Sequence, residues 1–320
     1  MVDQLASAET CRVCGTPINK NAVTNDGLCA GCSVARSSSA SGSGATGLTA
    51  GTPFDVPSFV QREVSPDPDH PRWGPVTGVG VWLVSVAAII ILPIIAVIAF
   101  YVIQKLRGAP IPNLASKEEL LEWLKSPSLL LVQVISTIVA HAITIAICWA
   151  VVTRLGTRPF WESLGWNWAG HSVSYWVVYS ACVILALLLV SQLLSRVLPQ
   201  SEENSFAELL KSSQQVRIAV AMLATFTAPI VEETVYRGVL FSALRRFLGL
   251  IPTVVFVTLM FAGVHVLQYW GAWVSVAGLT LLSLLLTVVR ARTKSILPCV
   301  LIHTLNNAFF SVLILMNKTS

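Results

Sequence analysis

Glu232-Glu233-Thr234-Val235-Tyr236-Arg237 interrupts a stretch that otherwise has the composition of a membrane span. Between residues 216 and 231 the only charge is Arg217, and none occurs from 239 to 244. A carboxylate at the bilayer centre costs about 2.5–3.5 kcal/mol on insertion scales. Two adjacent ones need partners, and an ionisable residue at that depth marks a functional site by default.

The rest of the chain has the same character. Of 320 residues, 54% are apolar and only 12% charged, against roughly 25% charged in soluble domains. This composition predicts an all-α polytopic membrane protein. Its net charge of +5 is spread over loops, without the compact basic patch a nucleic-acid reader needs, so no nucleic-acid partner is expected. The first 75 residues hold no apolar run of signal-peptide length, which leaves insertion to the first span itself.

Apolar runs place spans at 79–103, 129–152, 173–197, 216–247, 252–270, 273–289 and 296–316. The count is seven, or eight if the long fourth run, ~48 Å as one helix, breaks near Pro229. Pro93 is a candidate kink in the first span. A short amphipathic helix is expected around 120–124, and Trp270 and Trp273 bracket an interfacial turn at Gly271. Residues 36–76, rich in Gly and Ser and then Pro, read as a flexible linker between a module at 1–35 and a transmembrane domain at 77–320.

In the N-terminal module, Cys11-x2-Cys14 and Cys29-x2-Cys32 have the paired spacing of a zinc ribbon, with a central gap one residue short of the usual range. Four thiolates would close the shell of one structural zinc and leave no position for substrate. Disulfides or a redox pair are the competing readings. With the N-terminus inside, Arg154, Arg158, Arg245, Arg246, Arg290, Arg292 and Lys294 fall on the cytoplasmic side, and Lys105, Arg107, Lys117, Lys125, Arg196 and Lys211 on the other, so charge alone is nearly balanced. Thiolates persist in the cytosol, which tips the orientation to an N-terminus inside. The module is expected to serve interaction or regulation through a protein partner. Cys148, Cys182 and Cys299 lie in apolar runs and read as small core residues.

Three pieces carry possible chemistry. Glu233 and Arg237 are four apart and can pair on one helical face, while Glu232 points about 100° away. Phe261-x3-His265 follows in the next span, and His303-x3-Asn307 in the last. Each has a bland reading: a structural ion pair, a packed histidine, an interhelical amide. His141 is expected to be a hydrogen-bonded packing residue. Together, a spare carboxylate, two histidines and an asparagine can activate water and stabilise an oxyanion.

These motifs, Glu232-Glu233-x3-Arg237-Gly238, Phe261-x3-His265 and His303-x3-Asn307, with Ser295-Ile296-Leu297-Pro298 ahead of the last, resemble those of the CAAX prenyl protease and bacteriocin-processing family of intramembrane proteases. The likeness covers roughly 216–316. It implies an intramembrane endopeptidase in which Glu232 is the general base, working with His265. His303 and Asn307 would hold the oxyanion, and Glu233 and Arg237 would support the site. The substrate would be a membrane-associated or lipidated protein or peptide. A catalytic zinc on the glutamate and both histidines is the competing mechanism; the metal-free one is preferred because Asn307 is a poor zinc ligand and a good donor. A non-proteolytic scaffold or immunity-type protein, or a proton-coupled transporter using Glu232, His265 and His303, stands as an alternative function.

Overall fold

The computed structural model describes residues 67–199 and 212–316, together with the backbone of 9–10 and 17–18. Strands β1 (Glu9–Thr10) and β2 (Pro17–Ile18) pair antiparallel, with Glu9 opposite Ile18 and Thr10 opposite Pro17. Cys11 and Cys14 lie in the chain between them. All four expected zinc ligands, Cys11, Cys14, Cys29 and Cys32, fall outside the described residues.

Among the described residues, seven helices are long and apolar enough to cross a membrane. They are α1 (Pro75–Leu106), α3 (Pro127–Thr153), α5 (Val173–Leu194), α6 (Gln214–Leu248), α7 (Leu250–Gln268), α8 (Trp273–Thr293) and α9 (Leu297–Met316). Two short helices, α2 (Lys117–Leu124) and α4 (Phe160–Ser163), lie between spans. The chain is a multi-pass integral membrane protein. Its outer surface agrees: Ile90, Ile91, Ile94, Ile95 and Ile98 of α1 are each more than half exposed, a patch suited to lipid and costly in water.

Local sequence sets the helix ends. Pro75 and Pro127 open α1 and α3, where a missing N–H costs nothing. The hydroxyls of Ser116, Ser172 and Ser213 accept from the N–H of Glu119, Tyr175 and Val216 and so cap α2, α5 and α6. The expected amphipathic helix is α2, whose Trp123 packs on Phe100 and Tyr101 and donates to Gln104. Trp270 and Trp273 meet edge to face across Gly271. Cys148 and Cys299 are buried as expected, whereas Cys182 is exposed on the outer face of α5.

The expected alternative of a break near Pro229 is not what α6 adopts. It runs as one 35-residue element and absorbs the proline by widening. Pro229 has no N–H for the Thr225 carbonyl, and its ring crowds that oxygen. The turn at Leu223–Thr227 is accordingly π-helical. A second π-helical turn, Thr234–Leu240, follows directly on Glu233. Helix α1 also runs on through Pro93.

The structure departs from the expected linker at its end. Residues 67–74 form a strap packed on the helices. Trp73 donates its indole N–H to the Val239 carbonyl at 3.0 Å. Arg290 reaches Asp69 at 2.9 Å and the Pro68 carbonyl at 3.1 Å. Arg290, expected with the exposed loop cations, is fully buried, because α8 extends to Thr293 and carries it inside the bundle. A buried guanidinium needs a carboxylate, and Asp69 supplies it.

A second latch holds the α8–α9 turn. The Ile296 N–H donates to the Gly165 carbonyl at 3.1 Å, and the Ser295 hydroxyl bonds to the carbonyls of Gly165 and Asn167. Only glycine fits here: φ is +72°, and a Cβ would stand 2.1 Å from the Lys294 carbonyl oxygen. Apolar packing falls into two main clusters. One joins Val81, Cys148, Tyr236, Leu240, Phe241 and Phe261; the other joins Trp176, Leu282, Leu286 and Ile302.

Candidate active site

The site draws on α6, α7, α8 and α9. Glu233 and Arg237, four apart on α6, form the expected ion pair at 3.0 Å, both fully buried. Helix α8 completes the guanidinium. Its Nη2 donates to the Ser283 carbonyl and hydroxyl, and its Nε donates to the Thr287 hydroxyl. Its charge also lies over the Phe261 ring, 4.9 Å from the centroid, a favourable position for a desolvated cation.

Glu233 has a second partner that sequence reasoning missed. His303 of α9 places Nδ1 2.8 Å from the same carboxylate oxygen that binds Arg237. A carboxylate engaged by Arg237 is an acceptor, so Nδ1 carries the proton in this contact. Nε2 is therefore the atom His303 turns toward the site. It stands 3.8 Å from Oε2 of Glu232, whose side chain is 21% exposed while that of His303 is 3%. The two adjacent glutamates have thus separated in role. Glu233 is sealed inside and orients a histidine; Glu232 keeps access to the surroundings.

His265 joins through Phe261. Its Nδ1 lies 2.9 Å from the Phe261 carbonyl, one turn back on α7. A carbonyl only accepts, so Nδ1 donates and Nε2 is left for chemistry. The Phe261 ring is fully buried. It stacks on His265 at 4.6 Å and meets His303 edge-on at 6.1 Å. One aromatic side chain thereby contacts His265, His303 and Arg237.

Asn307 sits one turn beyond His303. It donates to the Ala224 carbonyl at 2.9 Å, within the π-helical turn before Pro229, and its own carbonyl accepts from Asn306. An amide nitrogen has two hydrogens, so one remains beyond the Ala224 bond. His141 hydrogen-bonds with Thr227 at 3.0 Å, in the manner expected of a packing histidine. The zinc alternative requires Glu232 and both histidines around one ion. Among the described residues, no three His, Cys, Asp or Glu side chains gather at metal-binding spacing.

The wide turn bearing Arg237 is held from outside α6. Arg290 donates from Nε to the Arg237 carbonyl at 3.1 Å and from Nη2 to Ser242, while Trp73 holds Val239. Sequence reasoning missed Ser283, Thr287 and Arg290. A usable signal existed for the first two: they stand four apart on α8, so a polar stripe marks the face that receives a buried cation.

The arrangement is that of a multi-pass membrane protein with a carboxylate–imidazole site inside its helical bundle. Residues 214–309 match the family described as Type II CAAX prenyl endopeptidase Rce1-like. The chain is similar to that family over this segment, which contains Glu232, Glu233, Arg237, His265, His303 and Asn307. No curated protein and no solved structure matches it.

Proposed function

We propose that the protein is an intramembrane endopeptidase that hydrolyses a peptide bond in a membrane-associated, lipidated protein or peptide. The observation that carries this reading is the buried Glu233–His303 contact, which aims Nε2 at the partly exposed Glu232. In the reaction, Glu232 takes a proton from water, with Nε2 of His265 assisting, and the hydroxide attacks the scissile carbonyl. The carbonyl oxygen gains charge and is stabilised by the spare N–H of Asn307 and by His303, which acts as the imidazolium, its Nδ1–H held on Glu233 and its Nε2–H donated to the oxyanion. Collapse of the tetrahedral intermediate expels the amine, which receives the proton from Glu232. Arg237 pairs with Glu233, and Glu233 keeps His303 oriented. The similarity over 214–309 supports the reaction class and suggests a prenylated substrate.

Glu232→Gln preserves shape and hydrogen bonding but cannot accept the proton, so cleavage should fall by at least ~100-fold. Comparative proteomics of membranes carrying the wild type or this variant would identify substrates as new termini present only with the wild type. Identical terminus profiles would refute the proteolytic reading. An N-terminus inside is inferred chiefly from the cysteine pairs, whose thiolates persist in the cytosol, because the charges on the two sides are nearly balanced. One structural zinc on Cys11, Cys14, Cys29 and Cys32 is inferred for the N-terminal module. It is supported by ligand spacing and by the hairpin β1–β2 that brackets the first cysteine pair.

A further inference from the structure

A cavity of about 390 Å³ opens where α1 begins and where α3 and α6 end. His70, Arg72, Trp73, Arg154, Arg246 and Phe247 are among its walls. Three arginines therefore line one space, and a fourth is close: desolvation, and after it repulsion by Arg72 and Arg154, lowers the pKa of Arg158. Like charges gathered this way oppose folding unless an anion compensates them.

The nearby carboxylates are committed elsewhere. Asp69 binds Arg290. Asp67 binds His70 and lies 3.6 Å from Lys294. Among the described residues, Arg72, Arg154 and Arg246 have no carboxylate partner. Arg154 is held by a left-handed backbone, φ +50°, at the end of α3. The surroundings are apolar: Phe247 is 63% exposed, Leu155 79% and Val76 88%. Guanidinium forks match phosphate oxygens, and basic pockets between helix ends at a membrane surface suit lipid headgroups.

We infer that this pocket is a phosphate site, filled by the headgroup of an anionic phospholipid whose acyl chains lie against Val76, Leu155 and Phe247. Arg72, Arg154 and Arg246 bind the phosphate, and Trp73 forms the wall toward α6. The inference is independent of the proposed proteolysis.

The test uses the full chain in nanodiscs of phosphatidylcholine with a minority of phosphatidylglycerol, followed by native mass spectrometry of retained lipid. Wild type should hold one phosphatidylglycerol. Arg72→Gln with Arg246→Gln, both exposed positions, should retain it about tenfold less or weaker still. Arg107→Gln with Arg196→Gln, at the opposite helix ends, should match wild type. A parallel arm measures the thermal midpoint in pure phosphatidylcholine discs, in the same discs with millimolar inorganic phosphate, and in discs containing phosphatidylglycerol. Equal retention by the pocket variant and wild type would overturn the site. A rise with inorganic phosphate equal to that with phosphatidylglycerol would overturn the lipid assignment in favour of a free anion.

Discussion

Glu233→Gln tests whether one buried carboxylate performs two tasks. Its Oε1 receives Arg237 at 3.0 Å and His303 at 2.8 Å, with Glu233 and Arg237 both fully buried. Removing one charge of such a pair leaves the other uncompensated, at a cost of about 3–5 kcal/mol. At about 2–4 °C per kcal/mol, the unfolding midpoint should fall by roughly 6–20 °C. Glu233→Met with Arg237→Met removes both charges at once, and such replacements are often neutral or stabilising. The double variant should therefore recover most of the midpoint. It should not recover cleavage, because His303 Nδ1 has lost its acceptor and the ring its orientation. Thermal unfolding in nanodiscs reads the first quantity, and appearance of new substrate termini reads the second. A Glu233→Gln midpoint equal to wild type would refute the buried-pair energetics. Normal cleavage by the double variant would refute the orienting role.

Asn307→Ala should lower turnover by about 10²–10³ with little change in substrate binding, since its contact strengthens as the oxyanion forms; a KM effect alone would count against this role. Gly165→Ala should cost at least about 2 kcal/mol, because its Cβ meets the Lys294 carbonyl oxygen at 2.1 Å. Gly170→Ala, also at positive φ but in open space, should cost only about 1 kcal/mol, and unfolding curves compare the two. The purified full chain should carry one equivalent of zinc, lost in Cys11→Ser with Cys29→Ser while cleavage persists; metal analysis decides it. In the strap, the hydrogen bond from the Asp69 N–H, then the contact with His70 and the charge of Lys294, hold Asp67 below its ordinary pKa against a small opposing effect of burial. Its contribution, below about 1 kcal/mol at this exposed position, is present above the ordinary carboxylate value and lost as pH falls through the lowered one. Asp67→Asn should therefore differ from wild type at pH 7 and converge with it in acid.

Some features were legible in the sequence for physical reasons. Spans were visible because lipid tolerates so few charges, and the Glu233–Arg237 pair because helical spacing four apart fixes proximity. What escaped was tertiary. That Glu233 rather than Glu232 binds His303 depends on how α9 rotates against α6, which periodicity within either helix does not encode. Arg290 read as a loop cation because charge marks loops on average, yet a carboxylate partner 221 positions away reverses that rule. The strap was hidden by its prolines: composition suggested a flexible coil, while single residues, Asp69 and Trp73, decided its packing. Pro229 signalled a disturbance but not its form, since widening and breaking both relieve the same missing N–H.

The Trp73 and Arg290 contacts bear on how small a working fragment can be. The segment similar to a known family begins at 214, but the turn that carries Arg237 is tied through Val239 to Trp73, and through Arg290 to Asp69. A chain trimmed to the matched segment would strip a buried guanidinium of its counter-ion and a backbone carbonyl of its donor. The autonomous unit of this protein therefore begins no later than Asp67.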